Sequence, residues 1–486
     1  MIRRLMIVLF LLVAGPVWAA DTAPDLVLVG KIVGADHQTY KRVTFDVPKG
    51  VTRLTIAFDY TGKDQKTVVD LGLLDPQRFR GWSGGNKRTF SVSAEAATLS
   101  YLPGPLPAGR WALLLGVPNT RAATIATYEA KLFFEREGQA ASPPPLRAGT
   151  AWYRGDLHVH TGHSDGSCAS QSGGRAPCPL YRTAQVAAER GLDFVAITDH
   201  NTTSHFQDMD ALQPAFDKLL LIPGREITTF HGHANVFGPT QFLDFRLGDA
   251  ALPTIKRLQD AVTREGGVFS INHPSSPSGE LCMGCGWTVS DTDYAQVQAI
   301  EVANGGSERA QGGAEGPLTG IAFWEAQLNA GRRIAAIGGS DNHDAGLPHE
   351  TASAIGRPTT VVHADALSTP AVLAGVRAGR VFIDLDGTRE RLLDVSAQAG
   401  DRTAVMGGEL KAKPGETVTF TVALTGVDAA SLEVIRDGAK VSPTLTAPGI
   451  FSIVMGERSG WVRVNVRDPA GRLLLIGNPI YVTVGG

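Results

Sequence analysis

The sequence predicts an α/β barrel set between two small all-β sandwich domains, and three observations predict it. Short runs with period-two alternation fill both ends of the chain. Apolar strands alternate with helical stretches through the middle. Eleven of the twelve histidines lie in that middle part, several at the ends of its candidate strands. At 486 residues the chain is too long for one ordinary core, so several domains are expected.

Residues 1–20 read as a signal peptide. "MIRRLMIVLFLLVAGPVWAAD" has Arg3 and Arg4 at its start, an apolar run from Leu5 to Ala14, and small residues at Val17 and Ala19. The expectation is export to a periplasmic or extracellular space. The apolar run is short for a span and no later segment is long enough, so no stable membrane insertion is expected. The net charge of −3 removes the electrostatic case for nucleic acid.

Residues 21–137 read as an N-terminal β-sandwich, from "RVTFDVP", "RLTIAFDY", "VVDLGLLD" and "ATYEAKLFFE" with Gly, Pro and Asp between them. The Pro- and Ala-rich stretch over 138–150 reads as a linker. Over 151–390, "DLHVHT", "DFVAITDH", "LLLIPGREIT", "HANVFG", "GVFSINHP", "AIEVAN" and "RIAAIGGSDNH" are candidate strands. "PLYRTAQVAAERG", "ALPTIKRLQDAVTREG" and "LTGIAFWEAQLNAG" have helical spacing. About seven such alternations suggest a barrel like the (β/α)8 type, short of a strand. Over 391–486, "TVTFTVALTG", "SLEVIRDG", "GIFSIVM", "GWVRVNVRD" and "PIYVTV" read as a C-terminal sandwich.

Export permits disulfides. Cys168, Cys178, Cys282 and Cys285 allow three pairings, and the local pairs Cys168–Cys178 and Cys282–Cys285 are expected. Only "CMGC" has Cys-x-x-Cys spacing, which argues against a zinc ribbon.

The chemistry lies at the strand ends. Residues two apart in a strand point the same way, so Asp156, His158 and His160 share a face. One His-x-His is ordinarily a polar strand end. Here it is joined by Asp199, His200, Glu226, His231, His233, His273, Asp341 and His343. Barrel strand ends meet on one rim, and so many imidazoles and carboxylates gathered there are costly unless cations bind them. His205, His349 and His363 read as residues outside this set, and Arg225 as structural.

"DLHVHTGHSDG", "ITDHN", "GREITTFHGHANVFG", "INHP" and "GSDNH", in that order over about half the chain, resemble the PHP (polymerase and histidinol phosphatase) superfamily. That resemblance implies a distorted (β/α)7 TIM-like barrel holding two or three divalent metals. It implies His158, His160, Glu226 and Asp341 at one position. Glu226 would bridge to a second with His273 and either His231 or His233, of which His233 opens the apolar stretch "HANVFG". Asp165, His200 and His343 would form a third, with Asp165 standing where some relatives have His. Asp156 and Asp199 would orient imidazoles. More loosely, the layout is similar to a secreted branch related to carbaryl hydrolases, which widens the substrate range beyond phosphoesters.

The expected activity is that of a metal-dependent hydrolase using a metal-bound hydroxide, with Glu226, Asp341 and His273 at the reacting centre. No nucleophile-elbow Ser motif is present. Zinc, manganese and iron all suit mixed His/carboxylate sites. Phosphoesters are the expected small-molecule substrates. Carbamates or carboxyl esters are the alternative, and a metal-dependent binding protein without turnover is a third reading.

Overall fold

The computed structural model describes residues 23–136, 144–280, 282–442, 444–447 and 449–485. The expected signal peptide lies outside the described residues. Among the described residues no helix is long and apolar enough to cross a membrane.

The N-terminal strands form two four-stranded antiparallel sheets. One runs Leu26–Val33, Ile125–Arg136, Val51–Tyr60, Thr89–Ser93; the other runs Thr39–Val47, Gly109–Asn119, Val68–Leu74, Phe79–Gly84. In Ile125–Arg136 every second residue from Ala126 to Phe134 is buried, as a strand with one dry face requires. Leu54, Ile56, Leu113, Leu115 and Trp111 belong to the single core between the sheets.

In the middle of the chain seven strands lie side by side in sequence order: β1 (Arg147–Val159), β2 (Phe194–Ile197), β3 (Leu220–Thr229), β4 (Gly232–Phe237), β5 (Val268–Ile271), β6 (Ala299–Asn304) and β7 (Ala335–Gly339). β8 (Thr359–Leu367) pairs antiparallel with the other edge of β1, and β9 (Val381–Asp384) pairs antiparallel with β8. The helices are α1 (Leu180–Glu189), α2 (His205–Leu212), α3 (Ile255–Arg264), α4 (Gly305–Gln311), α5 (Ile321–Asn329) and α6 (Thr369–Arg377). β1 begins at Arg147, inside the stretch expected to be linker, because its first residues pair with Ala366 and Leu367 of β8.

The expected run of parallel strands is broken in the middle. β1–β2, β2–β3, β5–β6 and β6–β7 are parallel, whereas β3–β4 and β4–β5 are antiparallel. Only Phe230 and His231 separate β3 from β4, and two residues close a hairpin but cannot carry a crossover helix. The end of β7 comes back to the end of β1: Asp341 N–H donates to His158 O (2.8 Å) and His160 N–H to Asn342 O (2.9 Å). Among the described residues no continuous ladder closes the ring. The architecture is therefore a curled mixed sheet in place of the closed barrel expected from the strand–helix alternation. Gly339 permits the approach of β7, since a Cβ there would lie 2.4 Å from His158 Cβ.

The C-terminal strands continue this sheet. β9 pairs with Leu473–Gly477, which pairs in turn with Gly460–Arg467. A separate five-stranded sheet, including Leu392–Ala399 and Thr417–Thr425, faces it. Val361 of β8 and Phe382 of β9 share one core with Val395, Phe420 and Val464.

Candidate metal centre

Six strand ends deliver the polar residues. β1 ends in His158 and His160, with Asp165 on the following loop. His200 follows β2, Glu226 and His233 lie diagonally across the β3–β4 hairpin (Glu226 opposite Asn235, His233 opposite Thr228), His273 follows β5, and Asp341 and His343 follow β7. The structure brings all nine together in four overlapping groups, whose candidate ligand atoms lie within 4.8 Å of one another. They are His158/His160/Glu226, His158/His273/Asp341, Glu226/His233/His273 and His160/Asp165/His200/His343. The last group adds His160 to the three residues expected there.

Glu226 is the hub. Its Oε2 lies 3.3 Å from His158 Nε2, 3.5 Å from His160 Nε2 and 3.0 Å from His200 Nδ1. Its Oε1 lies 3.3 Å from both His233 Nδ1 and His273 Nε2. Asp341 Oδ1 is 3.1 Å from His160 Nε2 and 3.4 Å from His158 Nε2. Asp165 lies at the open side, 3.3 Å from His343 Nε2 and 3.6 Å from His200 Nε2. The His160 ring lies between His200 and His343, with centroids 4.4 and 4.2 Å away.

The residues fit divalent cations. His158 Nε2, His160 Nδ1 and His273 Nδ1 are buried without a hydrogen-bond partner. Orphaned polar atoms cost about 1–3 kcal/mol each in a folded protein, and three in one cluster mark a binding function. Mixed imidazole and carboxylate donors suit zinc, manganese or iron. Backbone strain points the same way: Asp341 (φ 51°) and His273 (φ 25°) occupy the left-handed region without being glycine. Such strain costs about 1–3 kcal/mol per residue and persists where the surroundings enforce it.

The protein's own charges polarise the cluster. Burial pushes the Glu226 carboxyl up, but His158 and His200 outweigh it and hold the group well below the usual range. Asp341 behaves alike: burial raises it, while His158, His160 and His343 bring it far down. Burial and the neighbouring His343 and His200 take His160 down to about 4, which favours the neutral imidazole that ligates metals. Burial also lowers His343, but Asp165 and Asp341 raise it to about 9.

Three expectations are corrected, those for Asp156, Asp199 and the Cys168–Cys178 pair; His233, His205, Arg225 and Cys282–Cys285 are placed as the sequence suggests. Asp156 holds backbone rather than imidazoles, accepting from the N–H groups of His158 (3.1 Å), Ser340 (3.0 Å) and Gly356 (2.7 Å). Asp199 fixes the loop after β1 through Thr161 N–H and Oγ1 (both 2.7 Å) and Ser164 Oγ (2.6 Å). Of the two hairpin histidines, His233 joins the cluster and His231 is exposed. His205 is buried, 2.8 Å from Gly224 O, and His163 lies 3.0 Å from Asp208. Arg225 donates to Gln241 O (2.8 Å) and its guanidinium lies 5.8 Å from the centre of the Phe206 ring. Cys282 and Cys285 form the expected disulfide, whereas Cys168 and Cys178 are free thiols.

Sequence reasoning missed Glu301, Asn304 and Asn272. Glu301 Oε1 lies 2.9 Å from His158 Nδ1, and its Oε2 accepts from His273 N–H (3.0 Å) and Asn304 Nδ2 (3.0 Å). Asn272 Nδ2 donates to Glu226 Oε1 (2.9 Å). A carboxylate on a histidine's second nitrogen fixes ring and tautomer. The available signal was one charge inside the apolar run "AIEVAN".

No family model matches the chain. An uncharacterized protein of Methanocaldococcus jannaschii is 29% identical over 152 residues, covering 31% of this chain and 81% of its own. A two-domain protein from Bacteroides vulgatus, described as containing a predicted PHP-like metal-dependent phosphoesterase, aligns with TM-score 0.37 at 18% identity, over 70% of this chain and 98% of its own. A candidate metal-dependent phosphoesterase from Bifidobacterium adolescentis aligns with TM-score 0.27 at 17% identity, over 40% of this chain and 88% of its own. With likenesses this distant, the functional reading rests on the donor cluster.

Proposed function

We propose that the chain is an exported metal-dependent hydrolase of the PHP type, acting on small-molecule phosphoesters. One observation carries this reading: nine donors from six strand ends meet around Glu226 and Asp341, leaving three buried imidazole nitrogens without a hydrogen bond. His158, His160, Glu226 and Asp341 would hold one divalent ion. Glu226, His233 and His273 would hold a second, and His160, Asp165, His200 and His343 a third. When bound, such ions supply a water of lowered pKa and stabilise charge developing on a substrate oxygen. The chain's own residues set the geometry. Glu301 holds His158 by its far nitrogen, Asn272 holds Glu226, and Thr228 Oγ1 lies 2.6 Å from His200 Nδ1.

The lean towards phosphorus comes from the group around Asp165. A phosphoryl group has several charged oxygens for a third cation to hold, whereas a carbamate develops one oxyanion. Carbamate or carboxyl ester hydrolysis is the second reading, favoured by apolar residues beside His233. Phe230 and Met283 are 87% and 75% exposed, and Met283 O lies 3.4 Å from His233 Nε2. The test is turnover of p-nitrophenyl phosphate, bis-p-nitrophenyl phosphate and a naphthyl carbamate, with metal content measured on the same sample. Phosphoester turnover that falls on chelation and returns on metal addition is expected. Turnover of the carbamate alone makes the second reading correct, and bound metal without any turnover makes the protein a binding module.

A further inference from the structure

Beside the donor cluster lies a cavity of about 400 Å³ lined by Arg175, Arg309, Asp341, His343, Ser167 and Ser353, among others. Asp341 and His343 make it continuous with the proposed metal positions. Away from Asp341 its wall carries two arginines against one carboxylate, that of Asp344. Arg309, in α4, is exposed and makes no ion pair or hydrogen bond among the described residues. Arg175 reaches in from the short hairpin Ser167–Ala169/Arg175–Pro177, where it pairs with Asp344 and Ser167 Oγ. One guanidinium is thus partly neutralised and the other is not. The hydroxyl of Ser167, which accepts from Arg175, keeps its own proton for an anionic oxygen, whereas that of Ser353 already donates to Asp341 O (3.1 Å).

We propose that this cavity selects substrates with a second anionic group, remote from the ester that is cleaved, and that Arg309 is the residue that reads it. The proposal rests on the phosphoester reading above and names the substrate class within it. A substrate whose phosphoryl group sits at the donor cluster and whose remainder extends past His343 meets the two arginines. Guanidinium groups hold planar carboxylates and phosphates through paired N–H donors. The unpaired Arg309 gains a partner when the anion arrives, whereas Arg175 must share or exchange Asp344. The dominant loss is therefore expected at Arg309.

The test uses metal-loaded full-length protein and ligands that cannot be hydrolysed. Binding of phenylphosphonate, 4-phosphonobenzoate and benzene-1,4-diphosphonate is measured by calorimetry, for wild type and for Arg309→Gln. Wild type should bind 4-phosphonobenzoate about tenfold tighter than phenylphosphonate, the scale of one charge-assisted contact. Arg309→Gln should bring that ratio within about twofold of unity and leave the phenylphosphonate Kd unchanged. Whether the carboxylate or the second phosphonate gains more tells which anion the cavity prefers. Equal binding of all three by wild type overturns the proposal, as does a preference that survives Arg309→Gln. If phenylphosphonate itself does not bind, the phosphorus reading has failed and this inference falls with it.

Discussion

Glu226 lies within 3.5 Å of five imidazoles, which makes it the residue whose charge the cluster most depends on. Glu226→Gln keeps the shape and removes the charge. It should cut activity by at least about 10²–10³-fold and release metal while circular dichroism stays unchanged; wild-type turnover would show that the ligand assignment is wrong. Glu301→Gln acts one step further out, through His158, and should weaken metal binding about 10–100-fold in competition with a chelator. The nine donors were legible because they stand in short polar motifs that end apolar runs. Glu301 was not, because the apolar spacing of β6 reads as a buried strand and nothing local says which partner satisfies its charge. A third residue sets a pH dependence. Glu308 is buried with Oε1 unpartnered, and burial lifts its carboxyl to about 7 against Arg357. Its folded pKa lies above its unfolded one, so its contribution to stability is full below about pH 4.5 and is lost as pH rises through about 7. By the size of that shift, the loss at pH 8 is about 3 kcal/mol. Glu308→Gln should therefore melt higher than wild type at pH 8 and close to it at pH 4.5; equal melting temperatures at both would show that the group is not shifted.

Between residue and fold, the loops carry the site. The β3–β4 hairpin places Glu226 and His233 on neighbouring strands, and its antiparallel turn is what departs from the expected parallel order. The words "GREITTF" and "HGHANVFG" marked both strands, but the direction of pairing follows from the length of the link between them. The disulfide loop Cys282–Cys285 seats on this hairpin at Gly284 (φ 76°), where a Cβ would meet Thr229 O at 2.2 Å. The loop after β1 carries Asp165 and runs into the hairpin that holds Cys168, with buried Cys178 just beyond it. Sequence proximity suggested that these two cysteines are bonded, and the structure leaves both as thiols. Denatured, unreduced protein should thus titrate two thiols. In the native state Cys178 should react slowly with iodoacetamide, because burial and the neighbouring Cys168 push its thiol up to about 12. Zero thiols in the denatured sample would restore the second bond.

The whole chain is tied together unequally at its two ends. The N-terminal sandwich touches the middle mainly through polar groups: Ala97 N–H to Gln207 Oε1 (2.6 Å), Gln207 Nε2 to Ala97 O (2.8 Å), Arg53 to Asp210 (3.8 Å), and Glu95, which accepts from Phe242 N–H and faces Arg225. The C-terminal strands do much more. β9 is zipped to Leu473–Gly477, and Asn478 bonds Ala336 N–H (2.7 Å), Ala336 O (2.9 Å) and Val381 O (2.8 Å). Phe382 and Val361, both fully buried, pack into the core that holds Phe420 and Val464. The composition change near residue 391 marked where the alternating β pattern returns, but period-two alternation carries no information on which sheet a strand joins. Two truncations should therefore behave differently. Removing residues 23–136 exposes a small polar contact and should leave a chain that folds and binds metal. Ending the chain at residue 390 strips the partner from β9 and uncovers Phe382 and Val361, at about 1.5–3 kcal/mol for each such side chain. It also opens a long sheet edge. Since whole domains are stable by only about 5–15 kcal/mol, the shortened chain should be insoluble or unfolded. The check is soluble yield with a cooperative thermal melt for each truncation. A cooperative, metal-binding fragment ending at 390 would show that the middle part stands without its C-terminal sheet.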